Sequence, residues 1–296
     1  MAFARAGFTM VEMLVTLALL SLIVLALMTV FNSTQSAFRA SLTQTDILES
    51  GRLAMGLITS DLETMTPSLG LGNSNGLYSS GSSVNFYANT NSGYAPLIQA
   101  LTASSQMRTN VLENFFSLSR QNIGGSPTWV GTGYAVAATT PPPDTNGLYA
   151  LYRFSMTTNI QATDPYFLYS NFVVTPFTNT TYWSHLVDGV VDLMVRPYDL
   201  NGLEMTNTYE YNYNGTTSTL TNRNTCFFPP ALGMAGFYMY SNMVPASVEV
   251  EMGVLEDTTL QRAEALSGAA QMNYLSNHVG QVHLFRQRVM IRNVDP

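Results

Sequence analysis

The sequence predicts an α+β fold: one long N-terminal helix followed by a mainly antiparallel β-sheet. Three observations carry that expectation. From Phe8 to Phe31 the chain runs 24 residues with a single charge, roughly 36 Å of helix at about 1.5 Å per residue and long enough to cross a bilayer. From Gln35 to Met65 apolar residues recur every three or four positions, the spacing of one helix face. Beyond Leu148 apolar and polar residues alternate in short runs bounded by turn residues, as in strands with one wet side.

The helix is expected as one element of about 58 residues, Phe8 to Met65, with a membrane half over 8–31 and an amphipathic half over 32–66. Phe38, Leu42, Leu48, Met55, Ile58, Leu62 and Met65 form its apolar stripe. Arg39, Gln44, Asp46, Glu49, Arg52 and Asp61 fall opposite. Gly51 and Gly56 each cost up to about 1 kcal/mol in a helix interior and permit a bend. Pro67, with Gly70 and Gly72 behind it, closes the element.

Residues 67–147 are rich in Gly, Ser, Asn, Thr and Pro, and the expectation there is a loop-rich insert with one or two short elements. Residues 148–296 are expected to form the sheet domain, with strands at Leu148–Met156, Tyr166–Val174, Leu186–Tyr198, Gly236–Tyr240, Ser247–Leu255 and Gln281–Asn293. Along Val248-Glu249-Val250-Glu251-Met252 the alternation is clean. Asp199-Leu200-Asn201-Gly202 reads as a reverse turn; too few spaced oxygen ligands follow for a calcium loop.

Composition narrows the function. The net charge is −7 and all twelve basic residues are arginine. Without lysine there is no P-loop lysine and no Schiff base. An acidic, lysine-free chain is also a poor match for nucleic acid. Arg286, Arg288 and Arg292 are the one local basic cluster, read as a solvated sheet face. Cys226 is the sole cysteine, so no internal disulfide forms. His185, His278 and His283 lack metal-site spacing, and no serine sits in a GxSxG elbow. No catalytic residue, metal ligand or cofactor-binding residue is assigned.

Glu12 is the one ionisable side chain in the apolar run. A carboxylate in hydrocarbon costs at least about 2.5–3.5 kcal/mol, which calls for a partner. Cutting after Gly7 would create an amine on Phe8 at the right depth. A secretory signal has a shorter apolar core, and a plain anchor leaves the glutamate unexplained.

The run Gly7-Phe8-Thr9-Met10-Val11-Glu12, behind the short basic leader Met1–Gly7, resembles the cleavage and methylation motif of type IV prepilins and pseudopilins. The resemblance implies a pilin-like fold, leader removal between Gly7 and Phe8 by a prepilin peptidase, and methylation of the new amine. It also implies a role for Glu12 in filament assembly with other pilins, served indirectly by an assembly platform and ATPase. Weaker similarity, through Val190–Asp199 with Gly202, Pro245–Val250 and Val289–Asn293, points to the larger J-type or PilW-like minor pseudopilins. Arg5 keeps the leader cytoplasmic by the positive-inside rule, which sets the chain in the inner membrane with everything after Phe31 outside. The expected function is a non-enzymatic filament subunit of a type IV pilus or type II secretion system. The alternative is a membrane-anchored surface adhesin that never polymerises.

Overall fold

The computed structural model describes residues 9–68, 83–90, 97–100, 107–137, 148–160, 164–205, 225–228 and 236–292. Helix α1 runs from Met10 to Glu63 without interruption. The chain divides into two compact units, Met1–Asp46 and Ile47–Pro296.

In the first unit the described residues are all helical except Thr9. Its large apolar side chains from Met10 to Phe31 lie between 49 % and 86 % exposed. Phe38 and Leu42, expected on the buried stripe, are exposed as well. The stripe starts at Ile47, where the sheet of the second unit supplies a surface to cover it.

The second unit is an antiparallel sheet with helices on it. Its strands in chain order are β1 (Val84–Thr90), β2 (Ile98–Ala100), β3 (Met107–Thr109), β4 (Glu113–Ile123), β5 (Ser126–Ala137) and β6 (Tyr149–Asn159). After α2 (Tyr166–Val174) follow β7 (Trp183–Tyr198), β8 (Thr225–Phe228), β9 (Gly236–Tyr240) and β10 (Ser247–Leu255). Helices α3 (Asp257–Glu264) and α4 (Gly268–Ser276) precede the last strand, β11 (Val282–Met290). Nine strands form one sheet in the order β11-β10-β7-β6-β5-β4-β1-β9-β8, and β2 and β3 make a separate ribbon. The sheet curls until Leu112, just before β4, meets Leu193 of β7 in a parallel bridge.

Two large cores and a smaller third, around Leu97, Val191, Leu255, Leu260 and Leu275, lie on it. The larger is mostly aliphatic and joins Ile47, Met55, Ile58, Leu62 and Met65 to side chains of β5, β7, β10 and β11. At Gly51 the helix comes so close to β11 that a β-carbon would sit 2.3 Å from the Phe285 ring. The second core is aromatic, built from Tyr87, Phe116, Trp129, Phe154, Tyr169, Phe172 and Trp183. Gly131 and Gly133 on β5 leave room for it, since a β-carbon there would meet Leu168 at 2.9 Å and Phe172 at 2.4 Å.

Three further expectations need correction. Tyr166–Val174 is a helix, not a strand. Its aromatic and β-branched content resembles a strand, but Leu168, Tyr169 and Phe172 bury one helical face. The Asp164-Pro165 start is the helix signal that outweighs composition, with Asp164 Oδ1 accepting the Tyr166 N–H at 2.9 Å. Residues 67–147, expected to be mainly loop, contribute β1 to β5, two of them 11 and 12 residues long. Of the described glycines there, Gly131 and Gly133 lie in strand β5 under close packing. Finally, Asp61, expected to face water, turns to the sheet. It accepts Arg153 Nε at 2.7 Å, Arg153 Nη2 at 3.0 Å and the Tyr134 hydroxyl at 2.6 Å.

Candidate functional site

The candidate site begins at the head of α1. Gly7 and Phe8 lie outside the described residues. At Thr9 and Glu12 the chain forms a capping box: Glu12 Oε2 accepts the Thr9 N–H at 2.9 Å and the Thr9 hydroxyl at 2.8 Å, and the Glu12 N–H points back to Thr9 Oγ1 at 3.4 Å. The sequence Thr-x-x-Glu before an apolar run carries this signal. The Glu12 carboxylate is therefore satisfied by its own turn, and exposed.

Below the cap the helix is built for an apolar medium. Its hydroxyls bond back to their own helix, Thr16 to Met13 C=O at 3.0 Å, Ser21 to Ala18 C=O at 2.8 Å and Thr29 to Leu25 C=O at 2.9 Å. Every backbone and hydroxyl group so satisfied can enter hydrocarbon at little cost. The segment is long and apolar enough to cross a membrane.

Residues 3–28 match the prokaryotic N-terminal methylation motif. That match supports a type IV pilin or pseudopilin. Chains with this motif are structural subunits, processed by prepilin peptidase and assembled with other pilins. Together with the one apolar N-terminal helix it fits a membrane-anchored, single-pass pilin. No curated protein and no solved structure matches the chain.

Elsewhere the polar residues serve the fold. Glu249 and Glu251 alternate on β10 as expected and form ion pairs with Arg196, Arg286 and Arg108. The C-terminal arginines divide their work: Arg286 holds Glu249 at 2.7 Å, Arg288 stacks 3.8 Å over the Tyr198 ring, and Arg292 holds Glu63 at 2.7 Å. Asp199 Oδ1 accepts the N–H groups of Asn201 and Leu203 at 2.9 and 2.8 Å, which makes the loop a turn. His185 bonds Asp188, His278 the Tyr274 carbonyl and His283 Glu256. Among the described residues no three His, Cys, Asp or Glu side chains converge on a metal position. Cys226 lies on β8.

One group escaped the sequence reading. Glu113, half-buried at the start of β4, accepts the Val195 N–H of β7 at 2.5 Å. Burial pushes its carboxyl up to about 7, against the opposing pull of that N–H and of Arg196. Nothing in the sequence around Glu113 signals a partner 82 residues away.

Proposed function

We propose that the chain is a minor pilin or pseudopilin, a non-enzymatic structural subunit of a type IV pilus-like or type II secretion filament, placed at its initiating end or tip. In this reading residues 1–7 are a leader, and a prepilin peptidase cuts between Gly7 and Phe8 and methylates the Phe8 amine. Residues 8–31 wait in the inner membrane and then enter a filament core, while residues 32–66 and the sheet beyond them lie outside the cytoplasm. The observation that carries the reading is the conjunction of the methylation motif over residues 3–28 with a lone carboxylate, Glu12, at the head of an exposed apolar helix. In a water-poor filament core the natural partner for that carboxylate is the Phe8 amine of its own or a neighbouring subunit. The large head supports a rare position over a repeating one, since bulky heads crowd a tight helical lattice.

The test is N-terminal mass spectrometry of the protein from its native membrane. A methylated Phe8 terminus is the expected result. An intact Met1, or a cut beyond the apolar run, would sink the reading and favour the anchored adhesin.

A further inference from the structure

The strand β11 closes the nine-stranded sheet at one side and, among the described residues, pairs only with β10. Their register is unbroken over nine residue pairs, so no bulge twists the edge away. Beyond the strand ends the Glu256 N–H donates to Gln281 C=O and the Ile291 N–H to Ala246 C=O. That parity turns the N–H and C=O groups of Phe285, Gln287 and Val289 toward β10 and those of Leu284, Arg286, Arg288 and Met290 toward the open side. Such an edge is a template for another strand unless something blunts it. Proline, charged side chains and a covering strand are the usual means; β11 contains no proline, its charges are two arginines of one sign that an acidic strand would neutralise, and no described strand pairs with its outer side.

The charges across this end of the sheet follow a rule. In one row Arg196 of β7, Glu249 of β10 and Arg288 of β11 stand opposite one another; in the next row Glu251 stands opposite Arg286. The sign runs basic, acidic, basic, and the sheet stops on the basic strand. Arg286 remains 56 % exposed despite its ion pair with Glu249. Leu284 and Met290, 49 % and 67 % exposed, flank the two arginines on the same face.

The geometry points to the free edge of β11 as a docking site for an extended segment of another protein chain that carries acidic residues at alternate positions. Such a segment adds a tenth strand. Its backbone meets the outward N–H and C=O groups, and its two carboxylates stand opposite Arg286 and Arg288, as Glu251 and Glu249 of β10 do on the other side of the strand. A second β11 is a poor occupant, because the fully overlapped antiparallel register sets Arg286 against its own copy. The inference does not depend on the leader being cut or on filament assembly.

The experiment is a fluorescence-anisotropy titration of the full-length chain in detergent micelles. The probe is a labelled nonapeptide copying Ser247–Leu255, which carries Glu249 and Glu251 in the required alternation. Saturable binding is expected, weakened at least tenfold when both glutamates are changed to glutamine. Leu284→Pro removes one outward N–H without touching the ladder to β10 and should weaken binding by a similar factor, with the thermal melt unchanged. Should that variant fail to fold, Arg288→Glu decides, and it should prefer a peptide in which the one glutamate facing position 288 is replaced by arginine while the other is kept. No binding to the unaltered chain, or unaltered binding by the folded variants, would overturn the proposal. So would a dimer that Leu284→Pro dissociates, since the edge would then belong to a second copy.

Discussion

Helix α1 carries two carboxylates that sit in opposite circumstances, Glu12 near its start and Asp61 near its end. Asp61 has permanent partners brought to it by the fold, a two-pronged Arg153 on β6 and the Tyr134 hydroxyl on β5. Among the described residues Glu12 has only Thr9, one turn away in its own backbone. The helical stretches around them differ in the same sense. Near Asp61 a stripe of Ile58, Leu62 and Met65 is fully buried, whereas near Glu12 Met10, Met13 and Leu14 are more than half exposed. A carboxylate whose partners belong to the same head stabilises that head. Glu12 meets only its own cap among the described residues, so in the proposed filament it is the one available to a group from another subunit.

The comparison breaks if Asp61 proves dispensable. Asp61→Ala strands the Arg153 guanidinium and the Tyr134 hydroxyl among buried neighbours, and losing one member of such a pair costs about 3–5 kcal/mol. Arg153 is 25 % exposed, so water screens part of that and the lower end is expected. Trp129 and Trp183, the two tryptophans, are 7 % and 3 % exposed within the second unit. Thermal melts followed by tryptophan emission therefore report on the head alone. A melt matching the unaltered chain would show that the network does not anchor the helix.

Glu113 is a third carboxylate, and it works against the fold that buries it. Its folded pKa of about 7 lies above the ordinary value of 4.5. Between those limits the folded state holds a proton that the unfolded chain has released, so stability falls as pH rises from about 4.5 to about 7 and is level beyond. The size is at most about 3 kcal/mol for a shift of this order. Glu113→Gln keeps a carbonyl acceptor for the Val195 N–H and removes the charge. It should stabilise the head at pH 8 and flatten the pH dependence of the melting temperature across that window. An unchanged slope would assign the dependence to other groups.

Two glycines on α1 sharpen the contrast between buried and open faces. Gly51→Ala drives a β-carbon into the Phe285 ring and should cost about 1–3 kcal/mol as overpacking. Gly56 has nothing within 4 Å of the same position, so Gly56→Ala should raise head stability by up to about 1 kcal/mol through helix propensity. Equal effects in the two melts would mean that the helix does not approach β11 as closely as the structure places it.

Much of this was legible beforehand because it depends on short-range patterns. The apolar run, the three-to-four spacing of Met55, Ile58 and Leu62, and the valine–glutamate alternation of β10 are each local, and each appears where expected. What stayed hidden depends on distant contacts. Asp61 looks like a surface residue until Arg153 arrives from 92 residues away. The glycines of β5 look like loop formers until Leu168 and Phe172 lie on them. Tyr166–Val174 misled because its composition suits a strand while the Asp-Pro start, the decisive local cue, lies just outside it. At the candidate site the motif was readable in one line, but the capping box gives Glu12 a second occupation that motif recognition does not include.

That second occupation sets the last test, where the expected effect on head stability is smallest. Glu12 touches nothing but Thr9 among the described residues, so Glu12→Ala should leave the tryptophan-monitored melt within about 0.5 kcal/mol of the unaltered chain, as for a surface substitution. Loss of the capping side chain leaves the Thr9 N–H unsatisfied and frays the first turn. Glu12→Gln separates the two roles, because glutamine serves the capping box equally well but brings no negative charge to an amine. If charge pairing with the Phe8 amine governs recruitment, both variants should be missing from sheared filaments while still present in the membrane. If capping alone matters, Glu12→Gln should assemble and Glu12→Ala should not. Normal recovery of both in filaments would remove Glu12 from assembly and restrict it to starting the helix.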